Sequence, residues 1–309
     1  MKNTLLLSCA ILSVFSPMVV NAGVWDRIKN AFVEPEAQQA PTIRVLISHA
    51  IPSALVEVKG KYNVDDPFIN KNIASRFSAR RAYIEPTKEG IKWGEVFLDR
   101  FQVKIVPDDA KTRLVVNGIE YNGILYVYDV GGGKISIINE VPIEDYVLSV
   151  LSPMFDQALS KEAMNAIAIA TRTDAYHHSQ HAQNPLWHVQ AKQVGYQGYA
   201  LGSKNNGVRD AVDSTKHMVM SQSSAYSGEI TTFSTNVVTK TQTAKRENST
   251  SLSADEVEVL ASKGKPADKI LGQIFPNTTI ALVHTTIDAV AGRELAEATN
   301  EKATRKNVH

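Results

Sequence analysis

The stretch from Val141 to His181 constrains the fold more than any other part of the chain, because its pattern is typical of two helices separated by a short break. Pro142 suits the first turn of a helix, where a missing N–H removes no hydrogen bond, and Glu144 follows at the positive end of the helix dipole. Ser152-Pro153 ends that helix, since the residue before a proline is pushed out of the α region. Ser160 is placed to cap a second helix. The pattern therefore predicts a helical pair.

The second helix of this pair is predicted to be buried. From Ala163 to Ala175 the residues are small or apolar almost throughout, and Arg172 stands out among them. So many alanines allow another backbone to approach closely. For Glu144 the simplest role is structural, either compensation of the helix dipole or pairing with Arg172 across the two helices. The break between the helices, Ser152 to Leu159, is where we expect a site.

The region before the helical pair is predicted to be rich in β-structure, because runs of β-branched residues alternate with turn signals. Asn117-Gly118 and Asn122-Gly123 are typical of hairpins. Gly131-Gly132-Gly133 lies between two predicted strands and opens no helix, so it indicates a hairpin tip rather than a phosphate loop. The predicted fold class is α+β, with a β-rich half over residues 43–139 and a helical, mixed half over residues 140–283 that forms a cleft.

The first 22 residues are typical of a secretory signal peptide, with a positive start, an apolar run and cleavage predicted after Ala22. The apolar run is nearly long enough to span a membrane, so an uncleaved anchor is the alternative. Residues 23–42 are predicted to form a linker, and residues 284–309 a charged tail. We therefore expect the protein in the periplasm or secreted, and free of the membrane after cleavage.

Composition excludes several classes of function. The chain of 309 residues has a net charge of +1, which gives no electrostatic reason to expect nucleic acid as a partner. Cys9 is the only cysteine and lies in the predicted signal, so we expect no thiol nucleophile and no cysteine-metal site. His177 and His181 are four residues apart, but no Glu or Cys lies between them, and a solvated helix end is favoured over a zinc site. We expect no metal and no cofactor.

Several short blocks of the chain occur together and in a fixed order. They are Tyr121–Leu125, Ile138–Tyr146, Glu162–Ala175, Gln193–Gly198, Ala211–Thr215 and Ile270–Thr278. In these blocks the chain resembles the stage II sporulation protein D (SpoIID) / LytB amidase-enhancer family of bacterial cell-wall proteins. The second block is similar to the family's Asn-x-Val-Pro-Leu-Glu-Asp-Tyr, and the third to its helix with Glu-Ala-Leu and Ala-Arg-Thr. The resemblance covers roughly residues 43–283.

The resemblance implies a role on peptidoglycan outside the cytoplasm, and characterised members are lytic transglycosylases that cut glycan strands without stem peptides. This chemistry needs one carboxylic acid, which protonates the leaving oxygen and then takes a proton from the C6 hydroxyl. In the family the acid is the Glu of a Pro-Ser-Glu-Met-Pro segment after the first helix. The ungapped alignment puts Met154 at that position, and a thioether cannot carry a proton. Asp156, two residues further on, is the candidate for a relocated acid.

Three interpretations follow from the resemblance. The favoured one is a degenerate lytic-transglycosylase-like domain that binds glycan strands or activates a partner cell-wall amidase. The second is an active lytic transglycosylase that acts on peptide-free glycan with Asp156 as its acid. The third is a non-catalytic periplasmic scaffold. The loss of the residue that carries the chemistry argues against the second interpretation.

Candidate glycan-binding residues come from the break and from the segments that follow the helical pair. Phe155 lies in the break, and Trp187 and Tyr196 lie in a stretch predicted to be irregular, where sugar rings can stack on exposed aromatic faces. Ser234 begins the segment that stands where the family has a Ser-Gly-Gly-x-Thr turn beside the cleft, although valines replace the glycines here. The run Ile230–Ser234 itself predicts a strand.

Overall fold

The structure is a computed structural model that describes residues 40–76, 80–155, 158–199, 206–222, 230–235, 237–238 and 251–283. The predicted signal segment, the charged tail, most of the predicted linker and Asp156 lie outside these residues. Within them, a β-rich first half leads into a half with helices and short strands, so the predicted α+β fold is confirmed.

Two sheets contain all the strands of the first half of the described chain, and one of them also takes in a short strand from the second half. One has seven strands in the order β13-β1-β12-β11-β8-β3-β4, and the other has six in the order β10-β9-β2-β5-β6-β7. All neighbours are antiparallel except β13, which pairs in parallel with β1. The strands are β1 (Thr42–Ile51), β2 (Ala54–Lys59), β3 (Tyr62–Asp66), β4 (Lys71–Arg76), β5 (Arg80–Thr87), β6 (Gly90–Trp93), β7 (Glu95–Leu98), β8 (Gln102–Pro107), β9 (Arg113–Val116), β10 (Ile119–Tyr121), β11 (Ile124–Gly131), β12 (Lys134–Pro142) and β13 (Val189–Gln190).

The two sheets share one hydrophobic core, because alternate side chains of each strand point inward. Trp93 of β6 is fully buried, and its ring lies 5.4 Å from the ring of Tyr62 on β3, centroid to centroid. The indole Nε1 of Trp93 donates a hydrogen bond of 3.2 Å to the carbonyl oxygen of Val56 on β2. The ring contact joins the six-stranded sheet to the seven-stranded sheet, and the hydrogen bond fixes the indole within its own sheet.

The second half of the described chain contains the helices, the strand β13 already described and two pairs of short strands. Of these, β14 pairs antiparallel with β17, and β15 pairs in parallel with β16. In the described ranges, no helix is both long and apolar enough to cross a membrane. The elements are α1 (Ile143–Leu151), α2 (Lys161–Gln180), α3 (Ala191–Val194), α4 (Asn206–Ser214), β14 (Met218–Ser221), β15 (Val237–Val238), β16 (Leu252–Ser253), α5 (Ala254–Ser262), α6 (Ala267–Ile274) and β17 (Thr279–Leu282).

Helix α2 is the centre of this half, and its predicted burial from Ala163 to Ala175 is confirmed for almost every residue. It packs against α1, α4, α5, α6 and β14, and its alanines leave room for these neighbours to approach. Ser160 precedes α2 as predicted but does not cap it with its side chain. Instead, its hydroxyl donates a hydrogen bond of 2.9 Å to Glu258 of α5.

Two local predictions are wrong. Asn122-Gly123 does not close a hairpin, because β10 before it belongs to the six-stranded sheet and β11 after it belongs to the seven-stranded sheet. The side chain of Asn139 donates to the carbonyl oxygen of Asn122 at 2.7 Å and fixes this change of sheet. Residues 230–235 form no strand, because they lie along α2 and bond to its Asp174 side chain and its Ala170 carbonyl oxygen. The hairpin tip at Gly131–Gly133 is confirmed by the pairing of β11 with β12.

Candidate functional site

The break between α1 and α2 begins with a tight turn. The hydroxyl of Ser152 donates a hydrogen bond of 2.7 Å to the carbonyl oxygen of Leu148. The backbone N–H of Met154 donates one of 3.0 Å to the carbonyl oxygen of Leu151. Met154 is half-buried and packs against the core, and the ring of Phe155 is 7% exposed. Phe155 therefore offers little surface to a sugar. Asp156, the candidate acid, lies outside the described residues.

A cavity of about 490 Å³ lies beside the end of this break. Its walls come from the first turns of α2 and from α4, where Ser214 donates a hydrogen bond of 3.1 Å to Asn165. Two charged side chains at the cavity, Lys161 and Asp210, belong to exposed residues. The lining residues are Leu159, Lys161, Met164, Asn165, Gly207, Asp210, Ala211 and Ser214.

The ion pair between Glu144 and Arg172 holds α1 against α2. The guanidinium donates to both carboxylate oxygens at 2.7–3.0 Å, and Arg172 is 0% exposed. Its remaining donors reach the carbonyl oxygens of Val212 and Met218 at 3.1 and 3.3 Å. The same carboxylate accepts the backbone N–H of His217 at 3.1 Å. Because these oxygens and donors are occupied, the pair is a structural joint between α1, α2, α4 and β14.

Asp174 anchors the segment that contains Ser234. The hydroxyl of Ser234 donates to Asp174 at 2.8 Å, the backbone N–H of Thr235 donates to it at 3.2 Å, and His178 lies 3.4 Å from its other oxygen. Burial by itself raises the pKa of Asp174, but the bonds to His178, Ser234 and Thr235 outweigh it, so the pKa lies below its ordinary value. Ser234 is thus held by α2.

The histidines at the end of α2 bond to the backbone. Nδ1 of His177 lies 3.1 Å from the carbonyl oxygen of Thr232, and Nδ1 of His181 lies 3.0 Å from that of His177, so each of these nitrogens carries the proton. The rings of His177 and His181 stack with centroids 4.5 Å apart. In the part of the chain that the structure describes, no group of three His, Cys, Asp or Glu residues is arranged to hold a metal.

The structure separates the two aromatic candidates of the irregular stretch. Tyr196 is 5% exposed, its ring stacks on that of Tyr146 at 5.7 Å, and its hydroxyl donates to Asn139 at 2.6 Å. It is therefore a core residue that offers no face to a ligand. Trp187 is half-buried at the surface, and its ring lies 5.8 Å from that of His49.

A group of polar and aromatic side chains that the sequence analysis did not single out lies near Trp187. His188 directly follows Trp187 in the chain. The backbone N–H and the guanidinium of Arg44 each lie 3.2 Å from a ring nitrogen of His188. Glu140 accepts a hydrogen bond of 2.9 Å from the hydroxyl of Tyr126. The sequence contained one signal for this group. Tyr126 and Tyr128 are two residues apart in a predicted strand, so their side chains lie on the same face of the sheet.

The fold and the site together define an α+β domain in which two β-sheets lead directly into a buried helical pair. The chain belongs to the SpoIID family. The family model, described as stage II sporulation protein, matches residues 131–222, from the end of β11 through β14.

Three relatives are similar to larger parts of the chain than the family model covers. An uncharacterized protein of Chlamydia pneumoniae is 36% identical over 217 residues, which cover 70% of this chain and 79% of the relative. An uncharacterized protein of Chlamydia muridarum is 36% identical over 58% of this chain and 63% of its own length. One of Brachyspira hyodysenteriae is 29% identical over 61% of this chain and 49% of its own length. No solved structure is significantly similar to the chain.

Proposed function

We propose that this domain binds the glycan strands of peptidoglycan without cleaving them by the family's mechanism, and that it acts as a glycan binder or as an enhancer of a cell-wall amidase. One observation carries the proposal. The two helices that the sequence predicts are present, and the ungapped alignment with the family puts Met154 where the family has its acid. A thioether neither donates nor accepts the proton that the transglycosylase reaction moves.

The packing of the helical pair and the cavity beside it support a retained binding surface. Glu144 and Arg172 hold α1 and α2 in register, and a cavity of about 490 Å³ opens beside the break between them. A cavity of this size matches the lower part of the range for small-ligand sites. A protein that recognises glycan strands works outside the cytoplasm, which agrees with the proposed signal peptide and with a periplasmic or secreted location.

The first test measures binding and cleavage in the same samples. The chain from Gly23 onward is mixed with intact sacculi and with glycan strands without stem peptides. We expect co-sedimentation with sacculi and no fragments with 1,6-anhydro ends in mass spectra. Fragments that disappear in Asp156→Asn would contradict the proposal and identify Asp156 as a relocated acid. Absence of both binding and fragments would favour a scaffold.

A second test restores the acid. Met154→Glu places a carboxyl group in the break, and its half-buried position favours the protonated form. We expect this variant to release 1,6-anhydro fragments from peptide-free strands, because the rest of the frame is in place. Met154→Gln is the matched control, since it has the same shape and cannot titrate. A folded Met154→Glu variant that releases no more fragments than Met154→Gln would show that the cleft geometry is not that of the family's enzymes.

A further inference from the structure

The cavity of about 490 Å³ beside the helix break lies between one face of α2 and one face of α4. Lys161 and Asn165 are four residues apart on α2, so they lie on the same side of that helix. The same spacing puts Asp210 and Ser214 on one side of α4. Ser214 donates a hydrogen bond of 3.1 Å to Asn165 and joins the two faces. The cavity is therefore bounded by side chains of two packed helices.

The side chain of Asn165 has an unused hydrogen-bond donor at this cavity. Asn165 is 9% exposed, and its amide oxygen accepts the hydrogen bond from Ser214. Its amide nitrogen, Nδ2, has no acceptor among the residues that the structure describes. Since this nitrogen is not fully enclosed and Asn165 lines the cavity, the nitrogen is accessible from the cavity. A largely buried amide N–H needs an acceptor, and a carbonyl oxygen of a ligand would supply it.

The rest of the described lining adds an acceptor and a small apolar surface. The carboxylate of Asp210 forms no ion pair and no side-chain hydrogen bond with the residues that the structure describes. Met164 and Ala211 are buried and give the wall its apolar part, together with the half-buried Leu159. Lys161 and Asp210 are the only charged residues of this lining, and their charges cancel. The lining therefore suits an uncharged ligand that combines an acceptor, a donor and a small apolar group.

We propose that this cavity is a subsite for the acetamido group of an N-acetylated amino sugar. The acetamido carbonyl accepts a hydrogen bond from Nδ2 of Asn165, and the acetamido N–H donates to the carboxylate of Asp210. The methyl group packs on Met164 and Ala211. One acetamido group thus uses the open donor, the open acceptor and the apolar wall together, and the sugar ring that carries it needs no charge.

A single amide on a sugar ring fits this lining better than the repeated amides of a peptide. An extended peptide presents an amide at every residue, and each one that is buried needs its own partner. Proteins commonly supply such a series from the edge of a strand, but the described lining comes from two helices and the break before them. The choice of peptidoglycan as the source of the sugar rests on the proposed function, since both of its alternating sugars carry an acetamido group.

The experiment compares three uncharged probes by isothermal titration with the chain from Gly23 onward. Chitotetraose carries an acetamido group on every ring, cellotetraose has a hydroxyl group in its place, and N-acetyl-trialanine amide is a peptide without sugar. We expect chitotetraose to bind about tenfold more tightly than the other two. Asn165→Leu should weaken its binding about tenfold, because the donor is lost while the side chain keeps its size. Asp210→Ala, at an exposed residue, should weaken it by up to about fivefold.

The matched control is Asp213→Ala, which removes an exposed carboxylate from the same helix but outside the lining and should bind like the wild type. Equal affinities for chitotetraose and cellotetraose, or equal binding by Asp210→Ala and Asp213→Ala, would overturn the subsite, while co-sedimentation with sacculi would still judge the proposed function. Chitotetraose binding that depends on Asn165, without binding to sacculi, would keep the subsite and overturn the proposed function. Tighter binding of N-acetyl-trialanine amide would assign the cavity to a peptide instead.

Discussion

The imidazole of His188 shows how the surroundings of one side chain set its protonation. Its pKa is lowered to about 4, mainly by burial and next by the nearby guanidinium of Arg44, while Glu140 acts in the opposite direction and His178 adds a weaker lowering effect. At neutral pH the ring is therefore uncharged, which allows it to accept a hydrogen bond from Arg44. The unfolded chain has an ordinary histidine pKa of about 6.5.

We expect His188 to make stability depend on pH in one particular window. Between pH of about 6.5 and 4 the unfolded chain binds a proton that the folded chain does not, so stability falls as the pH falls through this window and is constant above it. The loss should be about 1–2 kcal/mol after allowance for partial exposure. Urea unfolding at pH 7.5 and pH 5 measures it. In His188→Gln the difference between the two pH values should shrink, and an unchanged difference would contradict the assignment.

Single residues also show where sequence reasoning reached its limit. Met154 could be placed after α1, because helix ends are signalled by the adjacent residues Ser152 and Pro153. Trp187 and Tyr196 could not be told apart, because both lie in the same irregular stretch. Tyr196 is buried through contacts with Asn139 and Tyr146, which are distant in the chain, and no local pattern carries that information.

Helix α2 was predictable as an element because its burial follows from its composition. Its alanines indicated close packing on all sides, and Arg172 was the charge that needed a partner. The carboxylate of Glu144 provides that partner, but the carbonyl oxygens of Val212 and Met218 complete the site from elements far along the chain. The sequence could suggest the ion pair, whereas the four-element joint required the tertiary structure.

We expect Arg172→Leu to be strongly destabilising. It leaves the partly buried carboxylate of Glu144 without its cation and two carbonyl oxygens without a donor, which costs about 3–5 kcal/mol. For a domain of this size the melting temperature should fall by roughly 10 °C. Arg172→Lys should recover only part of the loss, because an ammonium cannot bond both carboxylate oxygens and both carbonyls. Calorimetry on the three proteins measures this, and a variant Arg172→Leu that melts with the wild type would refute the joint.

The whole molecule depends on the point where the chain changes sheets. Gly123 lies between β10 and β11 with φ of 79°, and a Cβ there would overlap the carbonyl oxygen of Glu140. The Asn-Gly pattern correctly indicated a turn, but turns alone do not reveal which strands pair. The order of the two sheets joins strands such as β3 with β8 and β2 with β9, and these distant pairings are set by packing of the common core.

We expect Gly123→Ala to destabilise the whole domain, because it brings both backbone strain and overlap with β12. The loss should be at least about 3 kcal/mol in urea unfolding. Gly133→Ala is the matched control, since its φ of 67° is also left-handed but nothing lies within 4 Å of the added Cβ. That variant should lose only about 1–2 kcal/mol. Equal losses in the two variants would show that the overlap at Gly123 is relieved by a small shift.

The open turn at Gly131–Gly133 also makes the molecule convenient for spectroscopy. Lys134 is exposed and begins β12, which pairs with β1 and β11 in the seven-stranded sheet. The chain from Gly23 onward contains no cysteine, because Cys9 is the only one in the sequence. Lys134→Cys therefore introduces a single thiol at the surface, and a fluorophore or spin label attached to it would be a site-specific reporter on the seven-stranded sheet.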